Sequence, residues 1–488
     1  MKSPPCRKVL MLEFNELCPS LLDKWMEAGE LPNFRRFHEA SQVFTTVADA
    51  EAPALEPWIQ WYSIHTGLDY SQHRVFHLTD GPMRDFPDIW QLVRAEGRPV
   101  INFSSMNAKG FQSPGSVFLP DPWCTSEQAY PHELSAFFDF IARHVQEYSN
   151  KGRGGAFADT ANFLKFLALH GLRPGTVAEI LRYLAAEKTS RVDMSWKRVF
   201  VLDWIYRDVF LNYYKKTKPQ FATIFLNSTA HLQHSYWRHM EPGRFAARPT
   251  PDEVERFGEA VLFGYKNMDD LLGDFLKLEA GGTMLVLASA LSQQPYLKHE
   301  EIGGQRFYRP HNATALLARL GIQPRVTQPV MTHQYQLRFD LASEQLAAAE
   351  RLKAVRCDGE ALFYVEVKED HSLYVGCQLR KQVPNTAAFS DGSSLSDAKF
   401  YEHFYQIDAV KSGRHHPDGV LWFRTGDFRV HEDKVPITDI LPTLMESMGI
   451  RCNPSDSHPF KGRSLVPLWK QDAREAPAEL RHRGEPVA

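Results

Sequence analysis

A chain of 488 residues, 43% of them hydrophobic, is long enough for one large core with insertions or for two or three domains. Its formal charge of -3, with no long Lys/Arg block, points away from a nucleic-acid channel and from a polybasic membrane patch. The cysteines, Cys6, Cys18, Cys124, Cys357, Cys377 and Cys452, are scattered without any CxxC or CxxH pair at structural-zinc spacing, which excludes a small stapled module and fits a reduced compartment.

The opening residues, MKSPPCRKVLMLEFNE, run almost at once into an apolar strand pattern over 9–14, without the longer apolar run and small-residue cleavage site of a secretory signal. An amphipathic helix is expected over 20–28. The turn Gly29-Glu30-Leu31-Pro32-Asn33 separates it from a second helix carrying Phe34 and Phe37 on its apolar side. Residues 57–66 read as a helix with Pro57 in the first turn and Gly67 at the cap. Short strands are expected over 98–103, 221–227 and 283–288, and helical stretches between them favour a largely parallel, two-sided sheet.

Residues 126–217 break that rhythm with consecutive aromatic-rich helical patterns, whose aromatic stripe reads as packing. Within 292–411, QYQLRFD, ALFYVEVKED and SLYVGCQL read as antiparallel strands around a helix. The expected architecture is therefore α/β: a predominantly parallel central sheet flanked by helices, built from 1–125, 218–291 and 412–470, with a helical cap at 126–217 and a smaller α/β insertion at 292–411. Residues 471–488 are polar and Pro/Gly-punctuated, so they are expected to fray. GRGGAF at 152–157 lacks the context of a dinucleotide or P-loop motif. No window is long and apolar enough to span a bilayer, so a soluble, cytoplasmic protein without a membrane partner is expected.

The chemistry-bearing segments are five: VLMLEFNELCPSLLDKWMEAGELPNFRRF, PALEPWIQWYSIHTGLDYSQHRVFHL, FATIFLNSTAHLQHSYWRHM, TMLVLASALS and GRHHPDGVLWFRTGDF, the last followed by VPITDILPTLMESMGI and PFKGRSL. Together they resemble the alkaline phosphatase superfamily, especially its phosphodiesterase and nucleotide-pyrophosphatase-like members. The resemblance covers both ends and most of the core, but not the insertions. It implies an alkaline-phosphatase-like fold and a two-metal site, which the residues here fill only in part. Asn15-Glu16 stands at the family's Asp-Gly. Glu56 lies nearest the Thr/Ser nucleophile, Ala230 replaces a metal-binding Asp, and Ala290 and Leu291 replace the Asp and His of Ser-Asp-His-Gly. His234 and His415 fall on retained histidines, with His416 the register alternative to His415.

Two imidazoles and a carboxylate can hold zinc with one position open, so the resemblance leaves a one-metal centre of His234, His415 and Glu56, with Asn15 stabilising an oxygen. Glu56 is a third ligand or a general base. Each residue also has a plainer reading: Asn15 as a turn cap, Glu56 at the positive end of a helix, the histidines as hydrogen-bonded core groups. Ser63 is expected to pack or bond to backbone. Asp121, in SPGSVFLPDPWCTSEQAYP, is read equally as lining substrate access or as holding an Asp-Pro turn, and Cys124 as structural. The expected function is a divergent hydrolase of a phosphoryl, sulfuryl or related ester of a small molecule, using one divalent metal, zinc foremost. The alternatives are a metal-free enzyme reusing the pocket and a catalytically inactive binding or assembly protein. Homo-oligomerisation through the insertions is left open.

Overall fold

The run KVLMLEF alternates its side chains between two covered faces, and this is why it sits in the middle of a sheet. Leu10, Leu12 and Phe14 enter one apolar core, Val9 and Met11 the other. The computed structural model describes residues 7–124, 126–147, 157–190, 192–330, 333–392, 398–407 and 410–470. The expectations for Cys6, for 152–156 and for 471–488 lie outside the described residues.

Strands β1 (Lys8–Phe14), β2 (Gln42–Val47), β3 (Val100–Phe103), β4 (Val117–Leu119), β5 (Phe221–Leu226) and β6 (Thr283–Ala288) belong to one nine-stranded sheet. Its order is Arg429–Val430, β2, Asp418–Phe423, β6, β1, β5, β3, β4, with Val435–Pro436 also paired to β2. The β6-β1-β5-β3-β4 run is parallel throughout. Asp418–Phe423 runs antiparallel to both β2 and β6. The sheet is mixed but predominantly parallel and flanked by helices, the fold class that the segment pattern implies.

The element ends follow local chemistry. Helix α1 (Pro19–Glu27) starts on a proline, whose missing N–H is not needed in a first turn, and α2 (Pro32–His38) does the same. Helix α3 (Pro57–Thr66) ends at Gly67, where φ is 68° and a left-handed cap suits glycine. β3 starts at Val100 rather than at 98 because Pro99 has no N–H to give a ladder. β5 ends at Leu226 because Asn227 already stands at the N-cap position of the helix Ser228–Met240, its side chain turned to Asn15.

Helices Ser135–Glu147, Phe157–Leu169 and Val199–Thr217 send Phe137, Phe166, Tyr206 and Phe210 into the same apolar core as Leu10 and Leu12, so their aromatics pack against the sheet. Further along, Phe363–Val367, Ser372–Cys377, Gln334–Arg338 and Val326–Pro329 form an antiparallel sheet in that order. With helix Ala342–Ala354 they enclose a separate apolar cluster that includes Leu337, Leu352, Leu373 and Phe404. Among the described residues no helix is long and apolar enough to cross a membrane.

One buried carboxyl makes stability depend on pH. Asp203, on Val199–Thr217, is 3% exposed, and burial pushes its carboxyl up to about 7, against a lesser pull from Ser228. Ser228 Oγ gives its hydrogen to Val199 O at 2.9 Å, and Asp203 Oδ2 is buried without a hydrogen-bond partner among the described residues, so little offsets the cost of burying an ionised carboxylate here. An unfolded aspartate ionises near about 3.9, so between that pH and about 7 the folded chain binds the extra proton. Stability from this group is complete at the acid end of that window and falls as pH rises through it. Asp203→Asn should flatten that fall, gaining on the order of 2–4 kcal/mol relative to wild type at pH 8 compared with pH 4. Urea unfolding at the two pH values checks this, and equal pH slopes for the two proteins would refute it.

Candidate functional site

β1 ends at Phe14, and the chain turns sharply at Glu16, whose φ is +61°. A non-glycine residue in the left-handed region costs roughly 1 kcal/mol, so its surroundings must hold it there. Gln233, from Ser228–Met240, does so: its Nε2 donates to Glu16 O at 2.8 Å. Tyr265 Oη in turn donates to Gln233 Oε1 at 3.0 Å and accepts from Cys18 N–H at 2.7 Å.

This turn aims the Glu16 carboxylate between the two expected histidines. Glu16 Oε2 lies 3.1 Å from His234 Nε2, and Oε1 lies 3.6 Å from His415 Nε2. The imidazole centroids are 5.2 Å apart and their planes cross at 78°. One ligand atom from each of Glu16, His234 and His415 falls within 4.8 Å of the others. Strand β7 (Ser292–Pro295) pairs with Gly413–His416 so that Gln293 faces His415, and Gln293 Nε2 donates to Glu16 Oε2 and, at 3.0 Å, to Ala230 O.

The other ring nitrogens fix what the histidines offer. His234 Nδ1 is 3.0 Å from Gly413 O, and His415 Nδ1 is 2.8 Å from Leu55 O. A backbone carbonyl only accepts, so each Nδ1 carries the proton, and in a neutral ring Nε2 keeps a bare lone pair. Those lone pairs face carboxylate oxygens. The arrangement is repulsive unless a cation, a proton or a metal ion, lies among them. A histidine that gives its Nδ1–H to a carbonyl and points Nε2 inward is the usual form of a metal-ligating imidazole.

The charges reinforce one another. Burial opposes ionisation of Glu16, but the His234 and His415 rings outweigh it and hold its carboxyl far below the usual carboxylate range. Burial also opposes the charge on His415, and the Glu16 and Glu56 carboxylates outweigh it, raising His415 above the usual imidazole value. Glu56 is pushed up by burial, with His415 and Lys411 pulling the other way. Lys411 is pushed down by burial, against Glu56 and Glu16.

The expected site residues take these places. His234 and His415 are brought together. His416 instead turns its Nδ1 to Asp418, 3.2 Å from the backbone N–H, which separates the two register alternatives. Glu56 is the residue before α3, but its side chain makes no capping bond; Oε2 lies 3.4 Å from His415 Nδ1, on the ring edge away from Glu16. It is therefore outside the three-ligand group that Glu16 completes. Asn15 does not offer its oxygen to that group: Oδ1 accepts from Trp61 Nε1–H at 2.9 Å, while Nδ2 donates to Glu16 Oε1 at 3.0 Å and to Asn227 Oδ1 at 2.8 Å. It orients Glu16. Ala290 and Leu291 are fully buried in the apolar interior.

Asp121 is buried just past β4, three strands from β1, and its Oδ1 accepts from Trp123 N–H at 2.7 Å while its carboxyl is pushed up to about 7 by burial. Cys124 is buried too, and burial pushes its thiol up to about 12, far from a reactive thiolate. Ser63 lies 2.9 Å from His73 Nε2 and donates to Asp49 Oδ2 at 3.1 Å. This is not an activated serine. His73 Nδ1 accepts from Val75 N–H, so Nε2 carries the ring proton and donates to the hydroxyl; burial keeps the ring neutral, down to about 4.

No family model and no curated protein matches the chain. Solved structures do. Phosphonoacetate hydrolase from Sinorhizobium meliloti shares 13% identity over 91% of this chain and 96% of its own, with a TM-score of 0.41. Alkaline phosphatase PafA shares 13% over 95% and 99%, with a TM-score of 0.44. Murine ectonucleotide pyrophosphatase/phosphodiesterase 5 shares 11% over 92% and 97%, with a TM-score of 0.37. The chain resembles the alkaline phosphatase superfamily in its motifs, and an alkaline phosphatase is among the solved structures similar to it.

Proposed function

We propose that this chain is a hydrolase of a phosphoryl- or sulfuryl-ester-containing small molecule that works with one divalent metal ion held by Glu16, His234 and His415. The observation that carries the reading is the pair of imidazoles whose Nδ1 protons are committed to backbone carbonyls while both Nε2 atoms face one ionised carboxylate. Two nitrogens and one carboxylate oxygen suit zinc, and a three-ligand set leaves a position for substrate. When bound, such an ion supplies Lewis acidity toward an ester oxygen and makes water more acidic.

The chain's own residues do the rest. Gln293 and Asn15 hold the Glu16 oxygens by hydrogen bonds, and Gln233 holds its backbone. Glu56, one-third exposed at its side chain and raised by burial, is placed to take a proton at its carboxylate and return it to a leaving oxygen. His415, between Glu16 and Glu56, keeps the two carboxylates on opposite ring edges.

As a base, Glu56 works only when ionised, so turnover should show an acid limb that reports its ionisation. Glu56→Gln should lower kcat for an aryl phosphate or aryl sulfate by about 100-fold and abolish that acid limb, while metal stays bound. Steady-state pH profiles on zinc-supplied protein check this. A profile unchanged by Glu56→Gln would remove Glu56 from the chemistry, and turnover that survives complete metal removal would favour the metal-free reading.

A further inference from the structure

Trp61, in the middle of α3, stands one residue back from the three-ligand group: its indole reaches Asn15, and Asn15 reaches Glu16. The ring is fully buried and held on two sides, stacked on His65 at 5.8 Å and crossed by Phe225 at 6.0 Å and 84°. Its polar atom is a donor and nothing else, so whatever it meets must accept. It meets Asn15 Oδ1 at 2.9 Å. The Asn15 backbone is fixed independently, because its N–H extends the β1–β5 pairing to Leu226 O at 2.9 Å. What stays free is a half-turn of the side-chain amide, which would exchange its oxygen for its NH2 group.

The three neighbours of that amide resist the exchange unequally. Asn227 Oδ1 accepts from Asn15 Nδ2 at 2.8 Å, but the Asn227 side chain makes no capping bond to its helix and can turn its own amide to match. Glu16 Oε1 accepts from Nδ2 at 3.0 Å; with an oxygen facing it instead, a cation between the two would restore the attraction. The indole cannot adapt. After the exchange its N–H would meet the Asn15 NH2, leaving two buried donors stranded. Trp61 is therefore the group that locks the amide.

The locked orientation bears on the ion. Glu16, His234 and His415 offer one oxygen and two nitrogens, a set that suits zinc. After the exchange Asn15 Oδ1 would take the place of Nδ2, which is 3.0 Å from Glu16 Oε1. Two oxygens at that spacing fit neighbouring corners of an octahedron with metal–oxygen bonds of about 2.1 Å, and octahedral, oxygen-rich sites suit manganese better than zinc. Trp61→Phe keeps an aromatic ring between His65 and Phe225 but removes the donor. Either orientation of Asn15 then leaves one amide atom facing a ring without a partner, so the bias toward the present orientation is lost and the bound ion decides.

We propose that Trp61 is a positioning residue that sets the choice of metal: by keeping the Asn15 oxygen on its indole N–H, it denies the ion a second protein oxygen and holds the centre selective for zinc over manganese. The inference rests on the metal-centre reading above and adds to it the residue that fixes which ion is taken.

The test measures zinc and manganese affinities separately, by competition with chelators of known affinity, on full-length wild type, Trp61→Phe, and Trp61→Phe combined with Asn15→Ala. In Trp61→Phe the ratio of the two affinities should move toward manganese by about tenfold or more, through tighter manganese binding rather than lost zinc binding. Adding Asn15→Ala should bring the ratio back to the wild-type value, because the gained ligand is the Asn15 oxygen. Asn15→Asp, whose two oxygens satisfy the indole and face Glu16 at once, should move the ratio the same way with Trp61 left in place, so the test does not depend on the folding of Trp61→Phe. Equal losses for both ions in Trp61→Phe, a ratio unchanged in Trp61→Phe or in Asn15→Asp, or a shift that survives Asn15→Ala each overturn the inference and leave the metal centre standing. Wild-type protein that binds neither ion overturns both.

Discussion

Glu16→Gln is expected to weaken zinc binding by about 100-fold or more and to reduce ester hydrolysis to the level of protein without metal. Loss of a partner that merely orients a ligand costs about 10–100-fold in metal affinity, and Glu16 is the one carboxylate in the ligand group. Its glutamine replacement has almost the same shape but no charge to offset a divalent ion. The two imidazoles would still hold their Nδ1 bonds to Gly413 and Leu55, so the fold should survive. Competition with a chromophoric zinc chelator measures the affinity. Wild-type affinity in the variant would show that the carboxylate is not a ligand.

His65→Leu is expected to destabilise the chain by about 3 kcal/mol, more than most surface changes, because it leaves a fully buried carboxylate without its partner. Glu13 is 0% exposed on β1 and His65 is 2% exposed on α3, with 2.8 Å between Oε1 and Nε2. His65 also stacks against Trp61, whose indole N–H holds Asn15, so the loss should loosen the Glu16 turn as well. Replacing both residues by leucine should cost less than His65→Leu alone, since no buried polar group is then left without its partner. Urea unfolding of the two single variants and the double variant measures the coupling. Additive costs would mean that the pair is not coupled.

Strands β1, β3, β5 and β6 were legible because they are buried on both faces and read as apolar runs, and Pro and Gly mark the helix ends; β2, QVFTTV, is half polar and leaves no such run. Of the candidate site, the two histidines that converge were legible, because they fall at two distant positions of one motif set. Glu16 was harder to see. In sequence, Asn15-Glu16 stands where Asp-Gly is expected, and attention to the missing Asp hides the carboxylate that follows it. The left-handed φ at residue 16, which swings that carboxylate between the rings, leaves no trace in a strand pattern. Gln233, Gln293 and Asn227 reach Glu16 and Asn15 from separate elements, through contacts that only the folded topology creates. Lys411 lies in an irregular link with no periodicity to place it. Glu56 begins its helix as the sequence implies, yet its side chain goes to His415 rather than to the helix amides.

Metal content per folded chain, measured by mass spectrometry on wild type, Glu16→Gln, Glu56→Gln and the combined His234→Ala and His415→Ala variant after equal exposure to zinc, tests the centre most directly. Near one zinc per chain in wild type and Glu56→Gln, with loss in Glu16→Gln and in the histidine variant, is the result expected. Zinc retained by Glu16→Gln but lost from Glu56→Gln would contradict it, as would no zinc in any of the four.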